Sequence, residues 1–248
     1  MQLLTNALVI REKRLEEHDR LLTLLTPDKG VITAYARGAT RLKGGMVSCT
    51  EQLCYSSFKL FWRGDRVFVD NAESDTIFFG LRQDLDKLSL ATYFCQLCTE
   101  LVPPLDANDQ YLRLMLNCLH YLEKDGMDRR LLKPLFELRI LSLSGYQPDL
   151  SACAVCGGLC APLWLSPQGG TLYCDGCRPA DASSLIPLTD GVFQAMRHIL
   201  YSDFTKLFHF KLSQAGAAEL CRVSKQYMLA QVERVLPALN YYETIVGK

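Results

Sequence analysis

Apolar residues come in short runs over the first eighty positions. β-branched and aromatic types dominate the runs, and Pro27-Asp28-Lys29-Gly30, Gly44-Gly45 and Arg63-Gly64-Asp65 interrupt them. Runs of that composition between turn-forming clusters read as strands. Five are predicted, near 7–13, 20–25, 31–37, 54–62 and 66–74, the number that closes a small barrel. The Pro-Asp-Lys-Gly turn between two apolar runs adds a hairpin.

After Gly80 the spacing changes. Leu85, Leu88, Leu90, Tyr93, Phe94, Leu97 and Leu101 recur at helical intervals until Pro103-Pro104 stops the run. Two further amphipathic segments follow at 109–124 and 130–144, the second closed by Gly145 at a C-cap. A loop-rich insertion spans 148–187. Thr189-Asp190 then caps a helix to about residue 201, and a last helix covers 214–235. The fold class is α+β: a five-stranded barrel domain at 1–80, then a helical bundle domain at 81–248 with an inserted cysteine motif.

That motif is Cys153-Ala-Val-Cys156 followed by Cys174-Asp-Gly-Cys177. Each C-x-x-C lets two thiolates from one tight turn reach the same ion. Two such turns complete a tetrahedral S₄ set, and the spacing is that of a zinc ribbon. Gly157, Gly158 and Gly176 fit turns that need positive φ. A closed four-thiolate shell leaves no position for water, so the expectation is one structural Zn²⁺ at Cys153, Cys156, Cys174 and Cys177. Cys160 competes with Cys156 as a ligand. The remaining six cysteines lie on apolar segments and read as small core residues.

The formal charge is zero, with 27 basic and 27 acidic residues, so any nucleic-acid site must be a local patch. The one sizeable basic concentration is Arg11, Lys13, Arg14, Arg20, Arg37, Arg41 and Lys43 in the barrel segment. Tyr35, Phe58, Phe61, Trp62 and Phe68 lie on the same strands. Small barrels bind single strands by pairing a cationic groove with exposed rings. The N-terminal apolar run turns charged too early for a signal peptide, and no uncharged apolar stretch reaches about 18 residues. A cytoplasmic protein without a membrane span is expected. Phosphate-binding glycine loops and H-E-x-x-H are missing, and the four histidines are dispersed, so no catalytic site is expected.

The residues also resemble a known family. Ala7-Leu-Val-Ile-Arg11, Glu17-His-Asp-Arg-Leu-Leu-Thr-Leu-Leu-Thr26, Gly30 and Ala36-Arg-Gly-Ala39 are similar to the opening of RecO recombination mediators. Leu143-Ser-Gly-Tyr-Gln-Pro-Asp-Leu150 leading into the first C-x-x-C, then Ser166-Pro167, Gly169-Gly170 and the second pair, resemble the same family. The resemblance implies an OB-fold barrel and a zinc-bearing helical domain. It implies binding of single- and double-stranded DNA, strand annealing and, with RecR, help for RecA in replacing single-strand-binding protein. It also implies docking of that protein's acidic C-terminal tail, for which Arg130, Lys133 and Arg139, beside Leu131, Leu132, Leu135 and Phe136, are the candidates. The nearly uncharged ending Val235-Leu-Pro-Ala-Leu-Asn240-Tyr-Tyr-Glu-Thr departs from the family's basic final helix. The competing expectation is a zinc-containing interaction adaptor of a repair complex without strong DNA affinity, which the zero net charge favours.

Overall fold

The computed structural model describes residues 2–15, 17–41, 45–104, 107–179 and 183–247. Its contacts divide the chain into two compact units, Met1–Gly126 with Leu236–Lys248, and Met127–Val235. No helix among the described residues is long and apolar enough to cross a membrane.

In the first unit, strands β1 (Gln2–Arg14), β2 (Arg20–Thr26), β3 (Gly30–Ala36), β4 (Cys54–Arg63) and β5 (Arg66–Ile77) close a barrel in the order β1-β2-β3-β5-β4. Every pairing is antiparallel except β3 with β5. This is the five-stranded OB-fold barrel expected from the strand count and the resemblance. Two hairpin turns use the residues that turns require, since Gly30 (φ 56°) and Gly64 (φ 60°) both lie in the left-handed region. Inward positions carry Val9, Leu22, Leu24, Ala34, Phe58, Leu60, Val67 and Val69, all buried.

Strand β1 does not alternate throughout. Its pairing with β2 slips between Val9 and Arg11, a bulge that places both Ile10 and Arg11 on the outer side. The carbonyls freed there are taken locally: Leu53 N–H donates to Val9 O (2.8 Å) and Gln52 Nε2 to Ile10 O (3.0 Å). Without the extra residue, Arg11 and Lys13 would share the inward parity of Val9.

Helix α1 (Phe79–Arg82) is a single turn leading into α2 (Leu85–Leu101), which starts at Asp84, whose carboxylate accepts from Lys87 N–H (3.1 Å). Helix α3 (Asp109–Glu123) follows. Helices α2 and α3 pack on β1 and β2, where outward Leu8 and Leu25 are fully buried. The chain's last helix, α7 (Pro237–Val246), also packs on α2, with Ala238 N–H donating to Gln96 Oε1 (2.9 Å).

The second unit holds α4 (Arg129–Leu143), α5 (Asp190–Tyr201), α6 (Gln214–Val232) and a four-stranded sheet of β6 (Asp149–Cys153), β8 (Thr171–Cys174), β7 (Leu163–Ser166) and β9 (Ile186–Leu188), in that order. Helix α4 carries Pro134 in its interior. Proline has no N–H, so the carbonyl of Arg130 loses its intrahelical donor. The Cys221 thiol on α6 donates to that carbonyl (2.9 Å), so Cys221 is a bonded group and not the simple apolar filler expected. One turn on, Lys133 Nζ donates to Glu137 Oε1 (2.7 Å) and Ser224 Oγ to Glu137 Oε2 (2.6 Å), a buried polar network joining α4 to α6.

Three further expectations are corrected. The loop-rich segment 148–187 also contains a four-stranded sheet, its strands of three to five residues being too short to read by composition. The final helix stops at Val232 because Glu233 turns left-handed (φ 49°), and Pro237 then opens a separate helix in its first turn. Thr189 precedes α5 as expected, but its hydroxyl donates to Glu219 Oε2 (2.9 Å) instead of capping the helix.

Candidate nucleic-acid face and metal centre

The barrel's outer face follows from register. Lys13 pairs with Leu21, Leu21 with Tyr35, Tyr35 with Phe68, and Phe68 with Phe61, so five residues on five strands lie in one row. Tyr35 and Phe68 have ring centroids 5.5 Å apart, and Phe68 stacks on Phe61 at 5.4 Å. The Arg37 guanidinium lies 5.1 Å over Phe68, and that of Arg66 lies 5.7 Å over Tyr35. Cations held over ring faces in this way are attracted by the ring quadrupole and still reach solvent. A shallow groove of about 170 Å³ runs between Tyr35, Phe68, Arg37 and Arg66.

The loop after β3 is fixed by its partners. Asp19 Oδ1 accepts from Gly38 N–H (2.8 Å), and Thr40 N–H donates to His18 O (3.2 Å). Gly38 is left-handed (φ 63°), and Arg41 folds back over it. Exposed Arg11, Lys13, Arg14, Arg37, Arg41 and Arg66 form no ion pair with a described carboxylate. Lys43 lies outside the described residues.

Arg20 must be withdrawn from the basic set. It has the inward parity of Leu22, is 3% exposed, and Nη1 donates to Val47 O (2.9 Å) and Thr50 Oγ1 (2.8 Å) beside Glu12 (3.3 Å). Its charge closes one end of the barrel from inside. Phe58 and Trp62 also point inward, leaving half-buried Tyr35 and Phe61 as the accessible aromatics of the outer row, with Phe68 between them outward but only 8% exposed. Arg66 was missed in the sequence because Asp65 masks it in the local charge count. Only its position two residues before Phe68 on β5 reveals it.

The expected partner cluster on α4 is not assembled. Lys133 is buried on Glu137. Arg139 donates to Leu200 O (2.6 Å) and lies 5.2 Å from the Phe204 ring, with burial pushing its pKa down. Arg130 alone is exposed, and it forks onto the Asp128 carboxylate (2.8 and 3.2 Å). Leu132, Leu135 and Phe136 are fully buried, so no apolar groove lies beside these cations.

The four predicted metal ligands do come together. Cys153 ends β6 and Cys174 ends β8, and Cys156 and Cys177 sit one turn beyond each. All four sulfurs lie within 4.8 Å of one another, and Cys156 Sγ is 3.6 Å from Cys174 Sγ. A tetrahedral ion with metal–sulfur bonds of about 2.3 Å separates its ligands by roughly 3.8 Å, so the set fits a metal ion. Gly157 (φ 70°) makes the first turn, with Gly157 N–H on Cys153 O (2.9 Å) and Cys153 N–H on Gly158 O (2.8 Å). Gly158 and Gly176 lack positive φ, so that expectation held for Gly157 alone. Backbone N–H groups of Cys156, Cys174 and Val155 draw Cys153 down to about 6, while the sulfurs of Cys174 and Cys156 push Cys177 up to about 12. Cys160 is not among the four clustered sulfurs.

A closed barrel of this strand order with an aromatic and cationic outer row, in a chain that also gathers four cysteines able to hold a metal ion, defines an OB-fold protein with a candidate metal site. Comparison with known proteins makes the class specific. Residues 1–78 match the model described as Recombination protein O N terminal, and residues 82–240 match Recombination protein O C terminal. DNA repair protein RecO of Acetivibrio thermocellus is 31% identical over 242 residues, covering 97% of this chain and 96% of the relative. The protein of the same name from Desulforudis audaxviator is 32% identical over 234 residues, covering 93% and 92%. The chain belongs to the RecO family of DNA repair proteins.

Proposed function

We propose that the chain is a non-catalytic recombination mediator that holds single-stranded DNA on the barrel's outer row. The observation that carries this is the stack of Tyr35, Phe68 and Phe61 topped by the guanidiniums of Arg37 and Arg66, which form no ion pair with a described carboxylate. Rings offer bases a stacking surface without regard to sequence, and cations beside them meet phosphates. Arg11, Lys13, Arg14 and Arg41 extend the cationic border, and Lys43 belongs with them by sequence. The division into a nucleic-acid-binding domain at 1–80 and a helical, metal-bearing domain at 81–248 is part of this reading.

The ion at Cys153, Cys156, Cys174 and Cys177 is Zn²⁺, because four thiolates select a soft tetrahedral ion, and its role is to hold β6 against β8. Annealing of strands, binding of duplex DNA, and action with RecR and the acidic tail of single-strand-binding protein to load RecA follow from the family resemblance. A mediator of this kind works in the cytoplasm at the nucleoid.

The test is fluorescence anisotropy of the full chain with a labelled single-stranded oligonucleotide from about 20 to 300 mM salt. Tight binding that weakens steeply with salt is expected. No binding at the lowest salt would transfer the function to a repair-complex adaptor that meets DNA only through its partners, the reading the zero net charge favours.

A further inference from the structure

Of the eleven cysteines, Cys156 and Cys160 are the two exposed ones. They flank one glycine: a Cβ built on Gly158 would touch Cys156 Sγ and Cys160 Sγ, both at 3.6 Å. One of the two is a metal ligand and the other is a spare thiol outside the four-sulfur cluster. We propose that Cys160 and Cys156 form an oxidation site at which hydrogen peroxide makes a disulfide and so removes Cys156 from the metal shell.

The chemistry balances without further parts. The Cys160 thiolate attacks one peroxide oxygen, the O–O bond breaks, and the departing oxygen leaves as water after taking up a proton. Cys160 becomes a sulfenic acid. The Cys156 thiolate attacks that sulfur, the S–O bond breaks, and the hydroxide leaves as a second water. Two thiols are oxidised by one peroxide, and the metal retains three ligands. A three-thiolate shell is open, so the ion exchanges into solution.

Selectivity comes from the rest of the molecule. Burial pushes the Cys54 and Cys221 thiols up to about 11 and the Cys95 thiol to about 12, and Cys98 and Cys118 are also raised well above the ordinary thiol value. A buried protonated thiol is a poor nucleophile, and access to the oxidant is lost as well. The loop between β6 and β7 is therefore where oxidant meets this chain.

The inference rests on the four-cysteine metal reading, and the experiment separates the two. The full chain is purified with zinc, its zinc content is measured, and hydrogen peroxide is added while released zinc is followed with a chromogenic chelator and the products by peptide mass. Loss of two hydrogens in the peptide joining Cys156 to Cys160, in step with zinc release, is expected. Cys160→Ser should keep one zinc per chain and release it roughly tenfold more slowly, since the thiol that attacks the peroxide is gone. Equal release from wild type and variant, or a disulfide between other cysteines, overturns the proposal while leaving the metal site intact. A chain that carries no zinc before peroxide is added overturns the metal reading itself, and the release step with it.

Discussion

The barrel and the small β6–β9 sheet are both built of β-strands, and opposite means stabilise them. Barrel strands run seven to thirteen residues, close on themselves and enclose an apolar interior. The sheet's strands run three to five residues, below what holds an isolated sheet together, and β6 and β8 each end in a cysteine of the four-sulfur cluster. Under the proposed function, coordination at the four cysteines supplies to the sheet what closure supplies to the barrel.

The sharpest way to break this comparison is to remove the ion. Chelation, or Cys174→Ser, should cost the second unit on the order of 10 kcal/mol of metal-coupled folding energy. Proteolysis should then cut within 148–188 while the barrel stays resistant. Simultaneous loss of both units would show that the barrel is not self-sufficient.

A smaller effect separates the barrel's two kinds of arginine. Arg20→Ala leaves half-buried Glu12 and the carbonyl of Val47 without their cation, and should destabilise the first unit by about 3 kcal/mol in urea titration. Arg37→Ala should stay within about 0.5 kcal/mol of wild type. Equal costs would mean that the inward and outward assignments are wrong.

Phe61→Ala should weaken single-strand affinity by about 2 kcal/mol in anisotropy, the worth of one stacked base. Unchanged affinity would remove Phe61 from the face. Smallest is Cys221→Ala, which orphans the Arg130 carbonyl and should cost about 1 kcal/mol in the second unit, with Cys221→Ser restoring most of it.

Features that depend on neighbouring residues were legible in the sequence. The five strands, the helices at Leu85–Leu101 and Asp109–Glu123, and all four clustered cysteines follow from local spacing. Features that depend on register were not. The bulge at Ile10 turns Arg11 and Lys13 outward, and parity carries Arg20 inside, yet all three look alike as basic residues on adjacent strands. Lys133 is hidden in the same way, since a basic residue four positions before an acid reads as a surface pair until both prove buried. The sheet at 149–188 escaped because strands of three to five residues carry too little pattern to separate from loop.

The central claim is that the outer row meets phosphate and base together. Its most direct test compares wild type with Arg37→Ala/Arg66→Ala in the salt dependence of oligonucleotide binding. If each guanidinium neutralises one phosphate of a single strand, the slope of log K against log salt falls by about 1.4 in magnitude. A slope identical to wild type would contradict the account and place the DNA-binding surface elsewhere on the chain.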